Sequence, residues 1–242
     1  MKKPILLLLL GSISLFAAGA DALIKAVQHN LQSDSGYAKI TMTVTTERGE
    51  RTMKMESWNR GNEKSFIRIL YPKKDLGITF LKIDTTMWQY VPKIEKTIKI
   101  PSSMMMQSWM GSDFTNDDMA KESSIVDDYD PVLDAETDER YVVTLHPKPD
   151  APVVWGKIVM QIAKEHAIPL EAVYYDEDGA LKRTLTYSNV RVIGSRHFPA
   201  RMVLVPADKA KNRTVVEMEE VDFDATIDDS RFSKSALKRY SR

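Results

Sequence analysis

From Tyr37 onward the chain alternates apolar and polar residues with a period of two, which commits it to extended strands. Ile40, Met42 and Val44 alternate with Lys39, Thr41 and Thr43, and Met53 and Met55 alternate with Thr52, Lys54 and Glu56. Between them Glu47-Arg48-Gly49-Glu50 reads as a polar hairpin turn. Further strands are expected at 63–71, 78–84, 86–91 and 94–100, then at about 140–146, 155–163, 170–176, 181–191, 200–206 and 213–223. Turn signals such as Arg60-Gly61-Asn62, Asp176-Glu177-Asp178-Gly179 and Ile193-Gly194-Ser195 separate many of them. No helices alternate with these strands, which favours an antiparallel meander over a parallel α/β sheet. The parity predicts one covered face carrying Ile40, Met42, Val44, Met53, Met55, Ile67 and Ile69, with Lys39, Lys54, Glu56 and Arg68 on the other. Near the end, Asp228 to Ser233 leads into a short capped helix or turn at Ala236-Leu237-Lys238-Arg239.

The N-terminal twenty residues follow a different rule. Met1-Lys2-Lys3 is basic, Ile5 to Leu10 with Ile13, Leu15 and Phe16 is apolar, and Ala18-Gly19-Ala20 offers small residues before Asp21. This order of regions predicts a secretory signal peptide over 1–20, cleaved after Ala20, and a periplasmic protein over 21–242. A spanning helix needs about 20 apolar residues, and this run is shorter and broken by Gly11, Ser12 and Ser14. Behind Asp21 the residues Leu23, Ile24, Val27 and Leu31 recur at helical spacing, an amphipathic helix.

Removing residues 1–20 from 242 leaves 222, a length that one β-rich domain can occupy. The remainder holds 32 basic and 34 acidic residues, a net charge of −2, so neither nucleic acid nor an anionic membrane is an expected partner. The absence of cysteine excludes disulfides, thiolate metal sites, a cysteine nucleophile and a lipid-modified N-terminal cysteine, so the mature chain is expected to carry no anchor of its own.

One long excursion, 101–138, interrupts the strands. Connections of that length usually cover or bind something. Met105 and Trp109, and likewise Met106 and Met110, are i,i+4 neighbours, so a helical turn capped by Ser102 or Ser103 and stopped near Gly111 would present a Met/Trp face. Of the twelve methionines outside the leader, five lie at 104, 105, 106, 110 and 119. Methionine adapts to irregular apolar ligands. Two roles are open for this segment, a lid over an apolar cavity or a helix packed permanently on the sheet.

Catalytic chemistry has little support. His29, His146, His166 and His197 are scattered, and no HExxH, GxSxG, P-loop or GxGxxG motif is present. Asp117-Asp118 and Asp127 to Asp130 could take a hard cation, although consecutive acids in a loop are more often simply solvated. Asn212-Arg213-Thr214 matches a glycosylation sequon by coincidence in a bacterial-type exported chain. No catalytic residue, metal ligand or cofactor is expected.

The run Met87-Trp88-Gln89-Tyr90-Val91-Pro92-Lys93-Ile94, continuing through Ile98-Lys99-Ile100-Pro101 to Met110-Gly111-Ser112-Asp113-Phe114-Thr115-Asn116-Asp117-Asp118, resembles the LolA-like outer-membrane lipoprotein-sorting proteins. With the leader, the first helix and the interrupted sheet, the resemblance covers the whole of 21–242. It implies a mainly β fold, a strongly curved antiparallel sheet or half-open barrel of about 11 strands closed by short helices. It also implies a single carrier domain with an apolar cavity for acyl chains of lipoproteins or lipids, working as a monomer between an inner-membrane transporter and an outer-membrane receptor. The ligand-binding residues expected on this reading are Met42, Met53 and Met55 from the sheet, with Met105, Met106, Trp109 and Met110 from the lid. Alternatives are an accessory lipid-binding protein of a dedicated exporter, an exported hydrolase, and a module that binds proteins through an edge strand.

Overall fold

A computed structural model describes residues 13–120, 125–209 and 211–241. Residues 1–12 of the expected leader lie outside the described residues. The first helix, α1, spans Ile13–Leu31 and runs straight through Asp21, so Asp21 is not its cap. Its stretch of Ala17, Ala18, Ala20 and Ala22 favours helix without one. Ala20, Ile24 and Val27 are buried, one face at helical spacing. Among the described residues no helix is long and apolar enough to cross a membrane.

Thirteen strands follow: β1 Ser35–Thr46, β2 Gly49–Arg60, β3 Lys64–Tyr71, β4 Thr79–Ile83, β5 Thr86–Val91, β6 Lys96–Lys99, β7 Tyr129–Glu136, β8 Arg140–Pro147, β9 Lys157–Ala163, β10 Pro169–Tyr175, β11 Leu181–Ile193, β12 Arg196–Pro206 and β13 Arg213–Asp222. They form one sheet in the order β6-β5-β4-β3-β2-β1-β13-β12-β11-β10-β9-β8-β7. Two antiparallel meanders are thus sewn together by the pairing of β1 with β13, in which Met42 faces Val216. The sheet is not closed, and β6 and β7 are its free edges.

The count of 13 strands exceeds the expected number of about 11, and β7 is the clearest addition. Asp130, Pro131, Asp134 and Glu136 hide it in the sequence. Proline lacks the amide donor a central strand needs, but an edge strand tolerates it, and β7 pairs with β8 alone, through a bulge between Leu133 and Ala135. The excursion therefore ends at residue 128 instead of 138. It contains two short helices, α2 Asn116–Ala120 and α3 Ile125–Asp128.

The expected strand parity holds. Met42, Val44, Met53, Met55, Ile67 and Ile69 are buried in one cluster, with Ile40 partly buried against it. On the opposite face Arg68 and Glu56 stand as register partners and form an ion pair at 3.6 Å. Each such buried aliphatic or thioether side chain contributes about 1.5–3 kcal/mol. A second cluster joins α1 to β7–β10 through Ile24, Val27, Tyr129, Leu145 and Ile162. The C-terminal helix α4, Lys234–Arg239, is capped by Ser233, whose hydroxyl accepts from the Ala236 amide, and it buries Leu237 against the β3–β5 corner.

Candidate functional site: an apolar cavity beneath the β6–β7 connection

The curvature of the sheet brings Ile67 of β3 and Ile158 of β9 to one cavity of about 410 Å³, within the range of small-molecule sites. Its floor is built from inward-facing residues of β1–β3 and β9–β13, among them Ile40, Met42, Met55, Leu185, Met202 and Val216. The connection between β6 and β7 supplies the cover, through Phe114, Met119 and Ile125.

Local sequence explains the path of this cover. Residues 101–112 do not form the expected helical turn. They make two single 3₁₀ turns, Ser102–Met104 and Trp109–Gly111, and Met110 takes the left-handed conformation with φ 50°. The i,i+4 relation therefore does not apply, and the Met/Trp stripe is split. Trp109 is fully buried against the Phe80 ring at 5.2 Å. Met105 and Met110 pack partly buried on the same cluster, whereas Met106 is 54% exposed. Of the seven residues singled out in the sequence, Met42 and Met55 line the cavity, and Met53 is buried in the adjoining cluster.

Among the contacts that pin the cover to the sheet, three involve β2, β13 and β11. Arg51 of β2 donates to the Met110 carbonyl. Thr214 of β13 donates its hydroxyl to Asp113 at 2.7 Å and accepts from the Asp113 amide at 3.0 Å. Arg183 of β11 donates from Nη1 and Nη2 to the two carboxylate oxygens of Asp118, at 2.6 and 2.7 Å. Asp118 also closes a reciprocal cap on α2: it accepts from the Thr115 amide at 2.8 Å, and its own amide donates to the Thr115 hydroxyl at 3.0 Å.

The Arg183–Asp118 pair stands in the wall of a largely apolar chamber, whose lining also includes Asp117 and Asp222. Arg183 is 7% exposed. Its guanidinium sits 4.3 Å from the Trp155 ring centroid and 4.5 Å from that of Tyr174, which stabilises a cation removed from water. Burial is the largest single influence on Arg183 and would lower its pKa, but the hydrogen bonds and charge of Asp118, with Tyr174 and Tyr187, together outweigh it and the group is held above its ordinary value. Burial also raises Tyr129, Tyr174 and Tyr187, so these phenols stay neutral. The arrangement can shield an apolar guest from water. Among the described residues no group of three or more His, Cys, Asp or Glu side chains is placed to hold a metal ion.

Reading methionines by helical spacing missed Phe114, Ile125 and Arg183. Arg183 shares strand parity with Leu185 and Tyr187, so an arginine at an inward position was the available signal, since a buried charge requires a partner.

Solved structures share this architecture. A DUF1329 family protein from Desulfovibrio piger matches with a TM-score of 0.83 and 22% identity over 92% of this chain and 99% of the other. A putative outer membrane lipoprotein-sorting protein domain from Vibrio parahaemolyticus matches at 0.77 and 20%, over 92% and 100%. A LolA superfamily protein from Nitrosomonas europaea matches at 0.75 and 21%, over 90% and 98%. The fold is therefore the LolA-like one that the sequence resembled. A family model described as "uncharacterized protein" matches residues 61–239, and the chain belongs to that family. No curated protein matches in sequence.

Proposed function

We propose that this protein is an exported, periplasmic carrier that holds acyl chains of lipoproteins or lipids in its cavity and moves them toward the outer membrane. The observation that carries this reading is the apolar chamber of about 410 Å³ beneath Phe114, Met119 and Ile125. Each buried methylene contributes about 0.8 kcal/mol, so an acyl chain in water gains a large driving force from such a shield. Met42 and Met55 would touch the chain directly. Met53, Met105, Trp109 and Met110 would form the apolar layer that supports the wall and cover, with Met106 outside the cavity. The likeness to lipoprotein-sorting and LolA superfamily structures supports a carrier that performs no covalent chemistry and needs no cofactor. In this reading the mature chain begins at Asp21, acts as a monomer, and exchanges cargo with an inner-membrane transporter and an outer-membrane receptor.

Native mass spectrometry of protein purified from a bacterial periplasm tests the proposal. Co-purified lipid or lipopeptide that leaves on addition of a fluorescent fatty acid is the expected result. A protein that takes up no acyl probe, or one that hydrolyses ester substrates, overturns it.

A further inference from the structure

The two free edges of the sheet differ in charge. β7 exposes Asp130, Asp134 and Glu136, and Asp138 and Glu139 follow it. At the other edge residues 93–99, Lys-Ile-Glu-Lys-Thr-Ile-Lys, are all exposed. Glu95 lies 4.0 Å from Lys238 of α4, whereas Lys93, Lys96 and Lys99 stand in no ion pair among the described residues. Between these lysines Ile94 is 55% exposed and Ile98 40%. The β3–β4 loop adjoins them at Gly77, where a methyl group would stand 2.1 Å from the Ser241 carbonyl oxygen and 3.4 Å from Pro92. That loop adds Leu76, 54% exposed, with exposed Lys73 and Lys74.

Lysines alone would be an ordinary defence of a sheet edge against strand pairing. Exposed isoleucines on the same edge are the opposite of such a defence. Strand addition by a protein partner would use β6 and leave Leu76, Lys73 and Lys74 without a role. A surface that meets protruding turns as well as the edge accounts for all of them. Aliphatic side chains that enter the boundary between headgroups and acyl chains, ringed by lysines that meet lipid charge, match an anionic bilayer. The net charge of −2 conceals this, because the acids that balance these lysines include those concentrated on β7, at the far edge.

We propose that the β6 edge and the adjoining β3–β4 loop form a docking face for an anionic phospholipid bilayer. The acidic β7 edge is repelled by the same surface, which orients the protein with β6 toward the membrane. This inference does not depend on what the cavity holds. It is tested by flotation of the purified protein with vesicles of phosphatidylglycerol and phosphatidylcholine against vesicles of phosphatidylcholine alone. Binding is expected only with phosphatidylglycerol and should weaken as salt is raised. Combining Lys93→Gln, Lys96→Gln and Lys99→Gln should lower partitioning on the order of a hundredfold. Ile94→Ser with Ile98→Ser should lower it roughly tenfold, and Asp130→Asn with Asp134→Asn should not weaken it. All these positions are exposed, and thermal melts of each variant confirm that the fold is kept. Equal flotation with both vesicles, or binding unchanged by the lysine triple, overturns the proposal. So does a polyanion response, in which heparin binds as well as vesicles and the isoleucine pair has no effect.

Discussion

Arg183 grips Asp118 through two parallel hydrogen bonds of 2.6 and 2.7 Å and so ties α2 of the cavity cover to β11 of its floor. Both partners are largely removed from water, with 9% and 15% of their side-chain surfaces exposed. Breaking one side of a buried pair leaves an uncompensated charge and costs about 3–5 kcal/mol, whereas removing both charges costs far less. Arg183→Met alone should therefore lower stability by that amount, and adding Asp118→Asn should restore a good part of it. Urea denaturation of both variants measures this. A single-variant loss below about 1 kcal/mol would show that the pair does not hold the cover.

Tyr129, buried, and Tyr174 and Tyr187, partly buried at the chamber wall, should make the fold less stable in alkali. Burial raises the pKa of Tyr129, Tyr174 and Tyr187 above the ordinary value of 10.0. In the unfolded chain they ionise near 10, so above that pH the unfolded state sheds protons that the folded state retains. Stability should be level with respect to these groups below pH 10 and fall as pH rises beyond it. Absorbance at about 295 nm during alkaline titration should show three phenols ionising only as the fold is lost. Their smooth titration in the intact fold would contradict their placement.

Gly111 turns the chain between Trp109 and the Asp113 anchor with φ 73°, and a methyl group there would stand 3.1 Å from the Arg51 guanidinium. Gly111→Ala meets both the left-handed penalty and a crowded arginine, and should cost about 1–3 kcal/mol. Gly179, also at positive φ but with nothing near it, isolates the backbone component, and Gly179→Ala should cost about 1 kcal/mol. If the two variants melt alike, the Arg51 contact contributes nothing.

The sheet was legible because its alternation is simple: Met53 and Met55 inward with Lys54 outward is a pattern that only an extended chain can satisfy. β7 was not, since an edge strand has one pairing partner and can carry Pro131 and three acids that would disqualify a central strand. The cover was half legible. Its existence followed from the length of the excursion and its tie to Gly111–Asp118, but its conformation did not. Spacing at i,i+4 predicts a shared face only if the backbone is helical, and Met110 leaves the helical region for φ 50°. Tertiary anchors on Arg51, Thr214 and Arg183, far away in sequence, decided the path instead.

That shift of the cover from Met105–Met110 to Phe114–Ile125 separates packing from binding. Trp109, fully buried against Phe80, belongs to the core, and Trp109→Ala should cost about 3–5 kcal/mol of stability. Ala38, on β1, lines the cavity, so a larger side chain there should project into the chamber. Ala38→Phe should therefore keep the melting temperature near that of the parent while removing most binding of a fluorescent fatty acid. In Trp109→Ala the fraction that remains folded should bind the probe with an affinity close to the parent's, since the indole does not line the chamber. Measuring melting and probe affinity on both variants gives a crossed pattern if the cavity is the binding site. If Ala38→Phe binds the probe normally, the acyl chain is held elsewhere and the chamber is not the carrier site.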